Sequence, residues 1–91
     1  MTRLTLPSTL DLPAVIRLAD ALRSTTGPVL LNGAAVERIG VAALQLFLSA
    51  QATAKAGGQM FKIEQASDAF SSAAHVAGAD ALLQSNVESF S

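Results

Sequence analysis

The chain predicts a small α/β domain, in which helices lie mainly on one face of a short mixed sheet of about four strands. Three observations carry that expectation. Short apolar or alternating runs that suit strands take turns with longer stretches of helical period, in the order strand, helix, strand, helix, strand, helix. Gly and Pro separate them, at Gly27-Pro28 and Gly57-Gly58. Eighteen alanines favour helix and let elements approach closely.

Residues Arg3 to Leu6 alternate charged, apolar, hydroxyl and apolar, a strand with one buried face. Pro7-Ser8-Thr9 reads as a turn. Asp11 before Leu12-Pro13 is a helix start, because the carboxylate can cap and proline is tolerated in the first turn. Leu12, Val15, Ile16, Ala19 and Leu22 then follow at helical spacing as the inward face, with Arg17, Asp20 and Arg23 outward. Ser24-Thr25-Thr26-Gly27-Pro28 stops the helix. Val29-Leu30-Leu31 is a continuous apolar run that suits a central strand covered on both faces, and Asn32-Gly33 punctuates it. Val36 and Ile39 flank the exposed pair Glu37-Arg38 at the end of another short strand. A tight turn at Gly40 follows, then a helix from Val41 to about Ala56 that is apolar nearly all round. Such a helix is packed on two sides, or packed on one and bound on another. Met60, Phe61 and Ile63, with Lys62 and Glu64 between, make the next strand. Ser67 or Asp68 caps a third helix carrying Phe70, Ala73, Ala74 and Ala77. Gly78 interrupts it, and Leu82-Leu83 leads into a serine-rich tail, so that 1–91 reads as a single domain with 83–91 loosely held.

Composition excludes several functions. Ninety-one residues bury one modest core and leave little room for a deep enzyme cleft. A formal net charge of −1 provides no basic stripe for nucleic acid and no attraction to an anionic membrane. With no cysteine there is no disulfide, no thiolate zinc site and no thiol chemistry. No signal-peptide pattern opens the chain and no apolar run reaches the ~18 residues of a membrane span, so a cytoplasmic protein without direct membrane insertion is expected. There is no Gly-x-Ser-x-Gly elbow, no Walker-type loop and no dinucleotide glycine pattern opening a helix, and the seven carboxylates are scattered. His75, the one histidine, has no ligand-type neighbours at metal spacing. The expectation is therefore no enzyme, no catalytic residue, no metal and no cofactor.

The candidate site is the strand-to-helix junction Val36-Glu37-Arg38-Ile39-Gly40-Val41-Ala42-Ala43-Leu44-Gln45. A helix N-terminus there offers unpaired N–H groups and partial positive charge. Gly40, Val41, Ala42 and Ala43 carry no hydroxyl, nucleophile or metal ligand. They form either a partner-binding loop or a turn whose small residues permit close packing. Gln45, one turn on, either hydrogen-bonds a partner or marks the wet face. Arg38 and Glu37 either steer a partner or are a solvated pair. Asp11 reads first as a helix cap.

Element order and several motifs together resemble the STAS domain family of bacterial anti-sigma factor antagonists. Thr9-Leu10-Asp11-Leu12 resembles the Glu-Leu-Asp segment before that family's first helix. Val29-Leu30-Leu31-Asn32 stands where the family has an apolar strand ending in Asp. Val36-Glu37 through Leu44 overlays its Val-Glu-Phe-Ile-Asp-Ser-Ser-Gly-Leu signature. Gly57-Gly58-Gln59-Met60 matches its Gly-Gly turn, and Gly78-Ala79-Asp80-Ala81-Leu82 its late Gly-Leu-Asp-x-Leu. The resemblance spans roughly residues 3 to 85.

The departures bear on function. The family's phosphoacceptor serine falls on Ala42, the Asp opening its loop on Gly40, and the Asp ending the earlier strand on Asn32. Phosphorylation adds nearly two negative charges at a helix N-terminus and so switches partner affinity; at Ala42 that switch cannot operate. The family's usual first strand is also missing before the Arg3–Leu6 run, which leaves a sheet edge open to a partner. Glycine for Asp, with Leu44-Gln45 next, resembles short STAS proteins often encoded among bacterial chemotaxis genes. The resemblance thus implies a non-enzymatic interaction module that binds a signalling protein, histidine kinase-like or anti-sigma factor-like, through residues 40–43, Gln45 and Arg38, with Asp11 beside the loop. Two alternatives are an anti-sigma factor antagonist with its phosphosite moved, as to Ser24-Thr25-Thr26 or Ser71-Ser72, and the STAS subunit of a lipid-transport ABC system bound to its ATPase. The oligomeric state is not set by the sequence.

Overall fold

The computed structural model describes residues 2–25 and 27–83. Its strands are β1 (Thr2–Thr5), β2 (Thr9–Leu10), β3 (Val29–Asn32), β4 (Arg38–Ile39) and β5 (Phe61–Glu64). Its helices are α1 (Leu12–Arg23), α2 (Val41–Ala56) and α3 (Asp68–Val76), and a 3-10 helix spans Asp80–Leu83. The elements follow the order read from the sequence, with the two-residue strand β2 added where Pro7-Ser8-Thr9 reads as a turn.

A three-stranded sheet runs β1-β3-β5 and a two-stranded sheet pairs β2 with β4. All pairings are parallel, in place of the mixed sheet expected, because every connection between paired strands contains a helix. The strand order advances in one direction, so right-handed crossovers put α1 and α2 on the same face. Sheet register shows which face that is. Leu4, Leu31 and Ile63 stand in one row, as do Thr2, Val29 and Phe61. Val29, Leu31, Phe61 and Ile63 join Leu18, Leu44, Phe47 and Phe70 in one buried cluster. Arg3, Leu30 and Lys62 form a row on the opposite face, which carries no helix among the described residues. Leu30 is buried there yet stands outside the main cluster, so the expectation of a strand covered on both faces holds for its burial but not for its helices.

Each helix has an identifiable start. Asp11 accepts from the Ala14 amide at 3.1 Å, and Pro13 fits the first turn of α1. Ser67 accepts from the Phe70 amide at 3.0 Å and donates to the Val36 carbonyl at 2.6 Å, tying the start of α3 to the segment before β4. Gly57 ends α2, and Gly58 turns the chain with φ of 73°. Phe47 of α2 and Phe70 of α3 stack with centroids 6.1 Å apart, both fully buried.

The inward face of α1 differs from the expected one. Ala14 and Leu18 are buried, while Leu12 is 62 % exposed and Ile16 56 % exposed. Val15 and Leu22 are partly buried against the core. Nearly every position of this helix except the charged ones is apolar, so spacing alone does not select the stripe. Ala14 and Leu18 belong to the buried cluster, and the helix so oriented turns Leu12 and Ile16 outward. Leu82 and Leu83 lie in the 3-10 helix, Leu82 buried and Leu83 partly so; residues 84–91 of the expected tail lie outside the described residues.

Candidate functional site

Two parallel strand ends position the site. Leu10 pairs with Ile39, and the Gly40 amide donates to the Leu10 carbonyl at 3.3 Å. Leu12 and Val41, each two residues beyond that pair, therefore open α1 and α2 side by side. The two helices are in contact with each other. The two N-termini are finished differently. Asp11 caps α1 with its side chain, whereas Gly40, at the N-cap of α2, makes no side-chain cap. The Gly40 carbonyl accepts from Ala43 at 3.2 Å and from Leu44 at 3.4 Å, closing the first turn.

The sequence-derived site residues separate by exposure. Val41 is 66 % exposed, and Gly40, Ala42, Gln45 and Arg38 are exposed with it. Ala43 is fully buried and its methyl belongs to the core. Asp11 is exposed and its carboxylate is spent on the α1 cap, immediately beside the loop. Arg38 sits on β4 opposite Thr9, and its amide donates to the Ser8 carbonyl at 3.0 Å. Leu12 and Ile16, which the sequence placed in the core, instead extend the exposed surface from Val41 onto α1. No sequence signal could have found them, because Ala14 and Leu18 recur at the same helical spacing as Leu12 and Ile16.

This surface has the chemistry of a contact. Leu12, Ile16, Val41 and Ala42 are apolar and exposed, and Gln45 adds a neutral donor and acceptor. It has no nucleophile or acid–base pair. Ser24 and Thr25 stand at the far end of α1, where their hydroxyls donate to the Asp20 and Leu22 carbonyls at 3.2 and 2.9 Å. Ser71 and Ser72 are on α3. That helix packs against β4, which leads into the loop, and Thr26 lies outside the described residues. His75 lies 3.1 Å from the Asp80 carboxylate in an exposed pair. Among the described residues no group of three His, Cys, Asp or Glu side chains could hold a metal, and no helix is long and apolar enough to cross a membrane.

A cavity of 470 Å³ opens between α1 and α2 at the other end of the sheet. Leu22, Leu46, Ala50, Val29 and Phe61 supply apolar walls, and Arg23 is the one charged lining residue among the described residues. It lies by the first residues of β3 and β5, whereas the loop at Gly40 lies past the last residue of β4, the end at which α/β sheets usually bind ligands.

The STAS_2 family model, described as "Mlab, STAS domain", matches residues 1–84. No curated protein and no solved structure matches the chain. STAS domains are generally non-catalytic modules of protein interaction and regulation. With the match spanning nearly the whole chain and the α/β order in place, the chain belongs to the STAS domain family.

Proposed function

We propose that this chain is a non-enzymatic interaction module that docks a bacterial signalling protein, histidine kinase-like or anti-sigma factor-like, on the surface formed by Gly40, Val41, Ala42 and Gln45, with Leu12 and Ile16 of α1 beside them. The observation that carries the reading is the exposure of Leu12, Ile16 and Val41 at the paired starts of two neighbouring helices. Three large apolar side chains turned to water at one end of a domain gain free energy when a partner covers them. Arg38, exposed on β4 at the rim, contributes to approach and orientation more than to affinity. Ala43 supports the loop from below.

No hydroxyl stands between Val36 and Gln45. Binding at this surface is then set by concentration or by a change in the partner, without a phosphoserine in the loop. Ala42→Asp places a carboxylate on the exposed first turn of α2. A negative charge suits a helix N-terminus, so the fold is kept or slightly stabilised. The same charge buried unpaired in a contact is costly. Binding should fall at least tenfold, measured by titration calorimetry against the partner recovered from the native cell. Unchanged affinity in a folded Ala42→Asp protein would exclude this surface. Recovery of a transporter ATPase in place of a signalling protein would keep the docking surface and move the protein to lipid traffic.

A further inference from the structure

We propose that two copies of this chain pair through the free edge of β1, antiparallel, into one continuous six-stranded sheet. The backbone pattern defines the edge. Thr2 and Leu6 donate to the Pro28 and Asn32 carbonyls at 2.8 and 2.9 Å. With the two-residue period of a strand, the N–H and C=O groups of Arg3 and Thr5 therefore point away from β3. Among the described residues no strand pairs with them there, whereas the 3-10 helix Asp80–Leu83 packs against β5 at the other side of the sheet. Several devices that guard an edge are missing from β1. β1 contains no proline and no lysine, and its pairing with β3 runs residue for residue without a bulge. Its single charge, Arg3, is drawn inward over the sheet to Glu64 at 2.7 Å and does not stand over the edge.

A second copy fits this edge in one register. Setting Arg3 opposite Thr5 of the other copy, and Thr5 opposite its Arg3, satisfies all four outward N–H groups with four backbone hydrogen bonds. It puts Leu4 against Leu4 of the other copy on the helix-covered face, where Leu4 is only partly buried in one chain. Sliding by two residues in one direction sets Arg3 against Arg3; in the other it sets Arg3 against Pro7, which has no N–H to give. Charge and donors thus select the two-fold pairing centred on Leu4, and the interface is self-complementary as a closed dimer requires.

Sedimentation equilibrium from micromolar to about millimolar concentration, with amide hydrogen exchange at both ends of that range, tests this. The expected mass rises with concentration from one 9.3 kDa chain toward two, and the Arg3 and Thr5 amides become protected as it rises. Thr5→Pro removes one outward N–H per copy and no bond to β3, so it should stay at the single-chain mass with unchanged circular dichroism. Val41→Asp, at the other surface, should dimerise like the parent. A single-chain mass throughout would overturn the proposal, as would a dimer that a folded Thr5→Pro retains or that leaves the Arg3 and Thr5 amides unprotected. If Thr5→Pro does not fold, the exchange of the parent protein decides alone.

Discussion

Arg3 and Glu64 lie on β1 and β5, two strands that never touch, yet Arg3 Nη1 and Glu64 Oε1 meet at 2.7 Å across β3. The register sets Arg3 beside Leu30 and Glu64 beside Asn32, so the bridge crosses the sheet on the face opposite Leu31 and Ile63. Leu30 is 4 % exposed beneath that face. Parallel sheets are usually covered on both sides. Among the described residues this face carries no helix, and Arg3 and Lys62 flank Leu30 in its row, with aliphatic stems suited to covering a leucine.

Arg3→Ala and Glu64→Ala should each cost less than about 1 kcal/mol through the ion pair itself, because the Arg3 side chain is 61 % exposed. Arg3→Ala should cost more than Glu64→Ala, since it also removes a stem beside Leu30. Urea unfolding at low and high salt separates the two. The charge part fades with salt, and the covering part remains.

Ser67→Ala should destabilise more than Asp11→Ala. Asp11 provides one cap, worth about 1 kcal/mol. Ser67 caps α3 and also donates to the Val36 carbonyl, so its loss leaves a second group unpaired, for about 1–3 kcal/mol in all. Chemical denaturation midpoints at constant slope give the order.

Ala43→Asp and Val41→Asp, two residues apart, should behave oppositely. The first buries a carboxylate at a fully buried position and should unfold the domain. The second leaves circular dichroism and melting temperature close to the parent, since Val41 is 66 % exposed, and abolishes partner binding.

Gly40→Ser should raise stability by a few tenths of a kcal/mol, because it gives α2 the side-chain cap it lacks. The site accepts a Cβ, whose nearest contact would be the Leu10 carbonyl oxygen at 3.8 Å. Thermal melts of the two proteins would show a rise of about 1–3 °C. A drop would mean that the loop needs a glycine for a reason other than space.

The elements with long, regular signals were legible in the sequence. α2 runs from Val41 to Ala56 as its pattern and the Gly57-Gly58 stop indicate, and Asp11 and Ser67 both cap as their positions suggest. The strand end before Gly40 was legible too, but its partner Thr9–Leu10 was not, because two residues have no period. The face of α1 was misread for a physical reason: in a helix rich in both large and small apolar residues, burial goes to the stripe that packs closest, and Ala14 packs closer than Leu12. That reading hid the α1 part of the candidate surface, Leu12 and Ile16. The placing of Leu12 and Val41 at neighbouring helix starts, like the pairing of Arg3 with Glu64, depends on strand register, which links residues far apart in the chain.

The most direct measurement is a tagged pull-down from the native cell, run in parallel with the parent protein and Ala42→Asp, with bound proteins identified by mass spectrometry. A signalling kinase or anti-sigma factor held by the parent and lost with the folded Ala42→Asp is the expected result. The same partner held equally by both would contradict docking at the start of α2.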